Sequence, residues 1–128
     1  LIRTDDIAVR DTQFYLTKGQ RRIVQEIYDT IRQDLSRDVS MAELESLYGM
    51  SSVSINKYFE IVYGDTVKRY MQSKRMAYAA KQLTGSNISV ADIALSVGYE
   101  SQSKFGTVFK RKYGCTPLEY RRLGGETT

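Results

Sequence analysis

The sequence predicts an all-α fold: two helix-turn-helix subdomains bridged by one linker helix. Apolar residues recur at helical spacing, and two-residue alternation is weak. Serines and threonines with a bonding partner three residues on mark one helix start after another. A long block of residues also occurs twice, so the chain has built the same unit a second time.

Residues 1–17 mix charges, among them Asp5-Asp6, with short apolar runs of no clear period, and they read as a linker or arm. Thr17-Lys18-Gly19-Gln20 has the capping-box form, with Thr17 as N-cap. Val24, Ile27, Tyr28, Ile31 and Leu35 then fall on one face of a first helix. Ser40-Met41-Ala42-Glu43 opens a second helix in the same way, and Gly49 should close it in the left-handed conformation. Ser51 or Ser52 caps the next helix, whose inward residues are expected to be Ile55, Phe59 and Val62, ending at Gly64. Thr66 is the expected cap of a longer helix to about Thr84, with Val67, Tyr70, Met71, Ala80 and Leu83 inward. Gly85-Ser86-Asn87 breaks it. Ser89-Val90-Ala91-Asp92 resembles another capping box, followed by the stripe Ile93, Ala94, Val97 before Gly98. A helix from about Ser101 turns Phe105, Val108 and Phe109 inward, and Thr116-Pro117-Leu118-Glu119 starts a last short one with proline at its favoured first position. The implied boundaries are 18–65 for the first subdomain, 66–84 for the connecting helix, 85–123 for the second subdomain and 124–128 for a tail.

The repeat is specific. Ser40, Ala42 and Gly49 return 49 positions later as Ser89, Ala91 and Gly98. After a one-residue insertion, Ser51, Phe59, Tyr63, Gly64, Thr66 and Tyr70 return as Ser101, Phe109, Tyr113, Gly114, Thr116 and Tyr120. Two copies are too few for a solenoid and suit a duplicated functional unit.

Charge divides unevenly. Residues 1–65 hold 8 Lys/Arg and 11 Asp/Glu, a net of −3, and residues 66–128 hold 11 and 4, a net of +7, giving +4 for the chain. A basic half implies an anionic partner, nucleic acid or an acidic membrane surface, or else lysines that only solvate helix faces. No apolar run approaches the ~20 residues that span a bilayer, and no signal-peptide pattern opens the chain, so no membrane partner is expected. The start at Leu1 reads as an excised or processed fragment, and the single Cys115 fits a reducing cytoplasm.

Catalysis fits poorly. The sequence has no histidine, which removes the usual general base near neutral pH and the commonest metal ligand. No phosphate-loop, dinucleotide or nucleophile-elbow motif occurs, and Cys115 lacks a histidine to activate it, so neither enzyme activity nor a cofactor is expected. Ten tyrosines could stack on single strands, but Tyr28, Tyr70, Tyr113 and Tyr120 fall on apolar faces and suit packing better.

The second helix of each copy begins with small polar residues, and the major groove of B-DNA accepts a helix whose early side chains bond base edges. The expected outward residues are Ser51, Ser52, Val53, Ser54, Asn56 and Lys57 in copy one and Ser101, Gln102, Ser103, Lys104 and Thr107 in copy two. Asparagine suits adenine, lysine suits guanine, and Val53 suits a thymine methyl. One such face alone would read as an ordinary surface, and its duplication favours double-stranded DNA. A helical interaction module using the same faces and a non-specific architectural DNA binder are the alternatives. The 66–84 helix would rise about 28 Å at 1.5 Å per residue. Major grooves on one face of DNA recur every ~34 Å, so one chain could reach two in succession.

The stretch Ile93-Ala94…Val97-Gly98-Tyr99-Glu100-Ser101-Gln102-Ser103…Phe105…Phe109-Lys110-Arg111-Lys112-Tyr113-Gly114-Cys115-Thr116-Pro117…Tyr120-Arg121 resembles the signature of AraC/XylS-type transcription regulators. Leu44…Tyr48-Gly49-Met50-Ser51…Ile55…Phe59…Tyr63-Gly64 is similar to that family's first unit, and Arg75-Met76 with Ala80 and Leu83 to its connecting helix. The resemblance covers residues 18–123. It implies about seven helices and sequence-specific DNA binding in an activator-type bacterial regulator acting in the cytoplasm. It also implies RNA polymerase as a further partner and an effector-sensing or dimerising domain elsewhere in the intact protein. The chain departs from the pattern at Thr107, where a longer polar residue is common, at Gly106, where serine or threonine is common, and at Gln82, in a place often apolar.

Overall fold

The computed structural model describes residues 16–125, which form seven helices and no strand. They are α1 (Lys18–Gln33), α2 (Met41–Tyr48), α3 (Ser52–Tyr63), α4 (Val67–Gly85), α5 (Val90–Ser96), α6 (Gln102–Tyr113) and α7 (Pro117–Arg122). The expected arm lies outside the described residues except for Leu16, which is buried, and Thr17, which is exposed. The described residues divide into two compact units, one holding residues 16–30 and 40–67, the other residues 31–39 and 68–125.

Local bonds set the helix starts. At α1 the Thr17 hydroxyl accepts from the Gln20 N–H at 3.1 Å while the Thr17 N–H donates to Gln20 Oε1 at 2.9 Å, a complete capping box. Thr116 and Glu119 make the same reciprocal pair at α7, with Pro117 at the first position. Ser40, Ser51, Ser89 and Ser101 each accept from the N–H three residues on, at the starts of α2, α3, α5 and α6.

In the first unit Leu16, Val24, Ile27, Leu44, Ile55, Phe59 and Val67 are buried. Val62, expected inward, is 40% exposed. The inward stripe of α3 runs through Ile55 and Phe59 to Tyr63, because a step of four residues keeps it over the core in this last turn. Tyr63 lies parallel to Tyr28, ring centroids 4.3 Å apart, and donates to Gln25 Oε1 at 3.1 Å.

The second unit has a larger core of Met76, Ala79, Ala80, Leu83, Ile93, Ala94, Val97, Phe105, Val108 and Phe109. Tyr99, Tyr113 and Tyr120 pack against it, with Tyr120 edge-on to Phe109 at 5.3 Å. Two arginines fasten this unit's loops. Arg75, buried on α4, donates to the carbonyls of Leu35 at 2.6 Å and Arg37 at 3.0 Å. Arg121, on α7, donates to the carbonyls of Leu83, Ser86 and Ile88 at 2.8, 3.3 and 2.6 Å. Each thus holds the loop that precedes a helix-turn-helix copy, from the helix that follows that copy. Gly98 comes close to the first of these loops: its φ is +88°, and a Cβ added to it would lie 2.8 Å from the Ser36 carbonyl oxygen.

Candidate nucleic-acid interface

Helices α3 and α6 are the second helices of the two copies, and each begins immediately after a glycine turn and a capping serine. On α3 the outward stripe is Val53, Lys57 and Glu60, a spacing of four and three residues that keeps one face toward solvent. Val53 is 78% exposed, an unusual setting for a valine. Ser54 is half-buried beside it. Ser51 and Ser52 stand at the helix start. The Ser51 hydroxyl accepts from the Ser54 N–H, and the Ser52 N–H donates to Glu45 Oε2 at 2.6 Å. The Glu45 carboxylate therefore sits on the positive end of α3, where the helix dipole favours it.

Asn56 differs from its neighbours. It is half-buried, and its Oδ1 accepts from the N–H of Val67, the first residue of α4, at 3.0 Å. A bidentate pairing with adenine needs both the oxygen and the N–H of the amide turned to one base edge, and this bond turns the oxygen toward the start of α4 instead.

On α6 Ser101, Gln102, Ser103, Lys104 and Thr107 are all exposed, followed on the same side by Lys110 and Arg111. Thr107 donates to the Ser103 carbonyl at 3.1 Å, which turns its hydroxyl along the helix. The outward stripes correspond position by position: Val53, Lys57 and Glu60 in copy one stand where Ser103, Thr107 and Lys110 stand in copy two. The stripe of copy one thus combines an apolar and a cationic group and ends in an acid, whereas that of copy two is uncharged until Lys110, with Lys104 beside it.

Beside the start of α6 an open cleft of about 540 Å³ is lined by Gln72, Arg75, Tyr99, Ser101 and Lys104, among others. Among the described residues no helix is long and apolar enough to cross a membrane, and no cluster of three or more His, Cys, Asp or Glu residues could hold a metal ion. The sequence did not single out Glu45 or Arg75 for what they do here. The one visible signal was Glu45 itself, an acid standing where the second copy has Ala94.

A family model described as a helix-turn-helix domain matches residues 44–123. The chain is 30% identical over 105 residues to the HTH-type transcriptional activator AarP of Providencia stuartii, covering 82% of this chain and 78% of that one. It is 29% identical over 98 residues to the HTH-type transcriptional activator RhaR of Mannheimia succiniciproducens, covering 77% of this chain and only 36% of RhaR. Among solved structures, the DNA-binding domain of the global transcriptional factor AdpA in complex with a target DNA superposes with a TM-score of 0.71, at 22% identity, over 78% of this chain and 90% of that one.

Proposed function

We propose that this chain, which belongs to the AraC-type helix-turn-helix family, is the DNA-binding domain of a bacterial transcription regulator. It binds double-stranded DNA sequence-specifically, with α3 and α6 as reading helices in successive major grooves. The observation that carries this reading is the duplication of one arrangement: a helix capped by serine, fixed by its apolar side, and presenting its first turns outward. The solved AdpA complex supports the choice of DNA over another polyanion.

In copy one Val53 suits a thymine methyl, and Lys57 suits guanine, with Ser54 beside them. In copy two Gln102, Ser103 and Lys104 read from the first turn, and Thr107 reaches a shorter distance. Ser51, Ser52 and Ser101, at the helix starts, lie nearest the phosphates and set the depth of entry. Asn56 is assigned a different role below.

The intact regulator carries an effector-sensing domain outside this segment, a reading supported by the small share of RhaR that the chain matches. RNA polymerase is the second partner, as suits relatives named as activators. The site of action is the cytoplasm.

Selecting bound sequences from a random DNA pool tests the proposal. The expected result is a preferred site with two short conserved blocks about one helical turn apart. Log affinity for that site should fall with log salt by about 0.9 per phosphate contact. An unenriched pool together with a flat salt response would overturn it.

A further inference from the structure

We infer that Asn56 is a positioning residue, and that Asn56 with Val67 and Gly106 with Pro117 are two builds of one joint between a reading helix and the helix that follows it. The two pairs occupy the same places in the repeat, 50 residues apart. In copy one the second helix of the pair is α4, and Val67 is its first residue. Its N–H is one of the helix's unpaired initial donors, and the residue is fully buried, so water cannot satisfy it. Asn56 Oδ1, reaching across from α3, takes that hydrogen at 3.0 Å.

In copy two the first residue of the following helix is Pro117, also buried, which has no N–H to satisfy. The residue facing it is Gly106. A Cβ added there would already lie 3.9 Å from Pro117 Cδ, in ordinary contact with the ring. A full asparagine side chain at 106 would press its amide against carbon with nothing to bond. Each partner in a pair is thus suited to the other and unsuited to its counterpart in the second copy. The buried Val67 amide hydrogen without the asparagine would be a stranded polar group, whereas an asparagine opposite a proline would find no amide hydrogen there to accept.

The consequence for DNA rests on the proposal that α3 reads bases. The joint fixes the start of α4 to the middle of α3, and so sets the orientation in which Val53 and Lys57 are presented. Asn56 acts through those side chains and touches no base itself.

The test is a cycle of four proteins, the parent, Asn56→Gly, Val67→Pro and the double variant, with Asn56→Asp alongside. Thermal unfolding without DNA reads the joint directly. Each single substitution should lower the midpoint, and the double variant should regain most of the loss. Losses that simply add in the double variant would overturn the joint, whatever DNA does. On the selected DNA site, Asn56→Gly should weaken binding about tenfold, the equivalent of one stranded bond, and leave affinity for random duplex unchanged. The double variant should restore site binding. Asn56→Asp keeps the acceptor oxygen but cannot donate to adenine N7, so the preferred base at every position should be retained. Loss of preference at a single adenine in both Asn56→Gly and Asn56→Asp, without rescue by Val67→Pro, would instead make Asn56 a base reader and overturn the positioning role. If the parent protein selects no DNA sequence at all, the reading of α3 fails, and the unfolding cycle still decides the joint.

Discussion

The two helix-turn-helix copies share a pattern and secure it by different means. At the turn of the first, Gly49 has φ +61° and nothing within 4 Å of an added Cβ, so only its backbone conformation asks for glycine. At the turn of the second, Gly98 has the same handedness, and a Cβ added to it would lie 2.8 Å from the Ser36 carbonyl oxygen and 3.1 Å from the Arg75 guanidinium. Copy one fastens the start of its reading helix with Glu45, whereas copy two has Ala94 in that place, buried in the core. The lesson is that caps and apolar stripes specify the shared fold, while the attachments that fit each copy to its surroundings are private to it.

Replacing the turn glycines should break this comparison most sharply. Gly98→Ala combines left-handed strain with a backbone clash and should cost about 3 kcal/mol or more. Gly49→Ala meets the strain alone and should cost about 1–2 kcal/mol. Denaturant midpoints at unchanged slope measure both, and equal losses would refute the assigned cause.

The arginine clamps come next. Arg75→Met removes a charged donor from two carbonyls in a buried setting and should cost about 2–3 kcal/mol. Arg121→Met should cost about 1 kcal/mol, because the half-exposed site lets water take the donor's place. A larger loss at Arg121 than at Arg75 would reverse this ranking of the two loops.

On DNA, Lys57→Ala and Gln102→Ala should each lose about 1–3 kcal/mol on the best site and relax preference only at their own half-site. Uniform weakening across all sequences would make either one a phosphate contact instead. Since Gly106 and Thr107, which follow the first turn of copy two's reading helix, are short, its half-site should prove the shorter of the two.

The smallest differences concern pH. Burial, with a hydrogen bond to Glu26, pushes the Tyr48 phenol from 10.0 up to about 12. A pKa raised on folding adds stability that is whole below pH 10 and is lost as pH climbs from 10 toward about 12. Glu119 is held below its ordinary 4.5, chiefly by the backbone and side-chain bonds to Thr116. Its contribution is whole above that value and disappears as pH falls through the lower folded value. Tyr48→Phe should therefore flatten the alkaline limb of a stability–pH curve, and Glu119→Gln the acid limb. An alkaline limb unchanged by Tyr48→Phe would deny Tyr48 that part.

How far the fold was legible follows from the reach of each interaction. Caps span three residues, so Thr17, Ser40, Ser51, Ser89, Ser101 and Thr116 could be recognised from spacing alone, as could the stripes ending in Leu83 and Phe109. The slip at Val62 arose because steps of three and four residues are both helical, and only the stack of Tyr63 on Tyr28 chooses between them. In the candidate site, exposure of Val53, Lys57, Gln102 and Lys104 followed from helical phase. Asn56 was legible as a polar residue on α3 but not as the partner of Val67, eleven residues away across a turn. Arg75 was likewise invisible as a clamp, since its carbonyl partners lie 38 and 40 residues upstream.

Those clamps have a consequence for how the protein would meet a polyanion. Arg75 is only 8% exposed, and Arg121 is committed to three carbonyls. Lys68 is paired with Asp38 at 3.1 Å, and the Lys112 ammonium is bound to Ser73. A fixed charge still contributes to the long-range field that steers an oppositely charged molecule in, but only a cation that displaces a counterion at contact enters the salt exponent. Capture and retention therefore count different charges in this chain. The rate of encounter tracks the formal excess of +4, whereas the salt exponent tracks only those side chains still able to leave water for a phosphate.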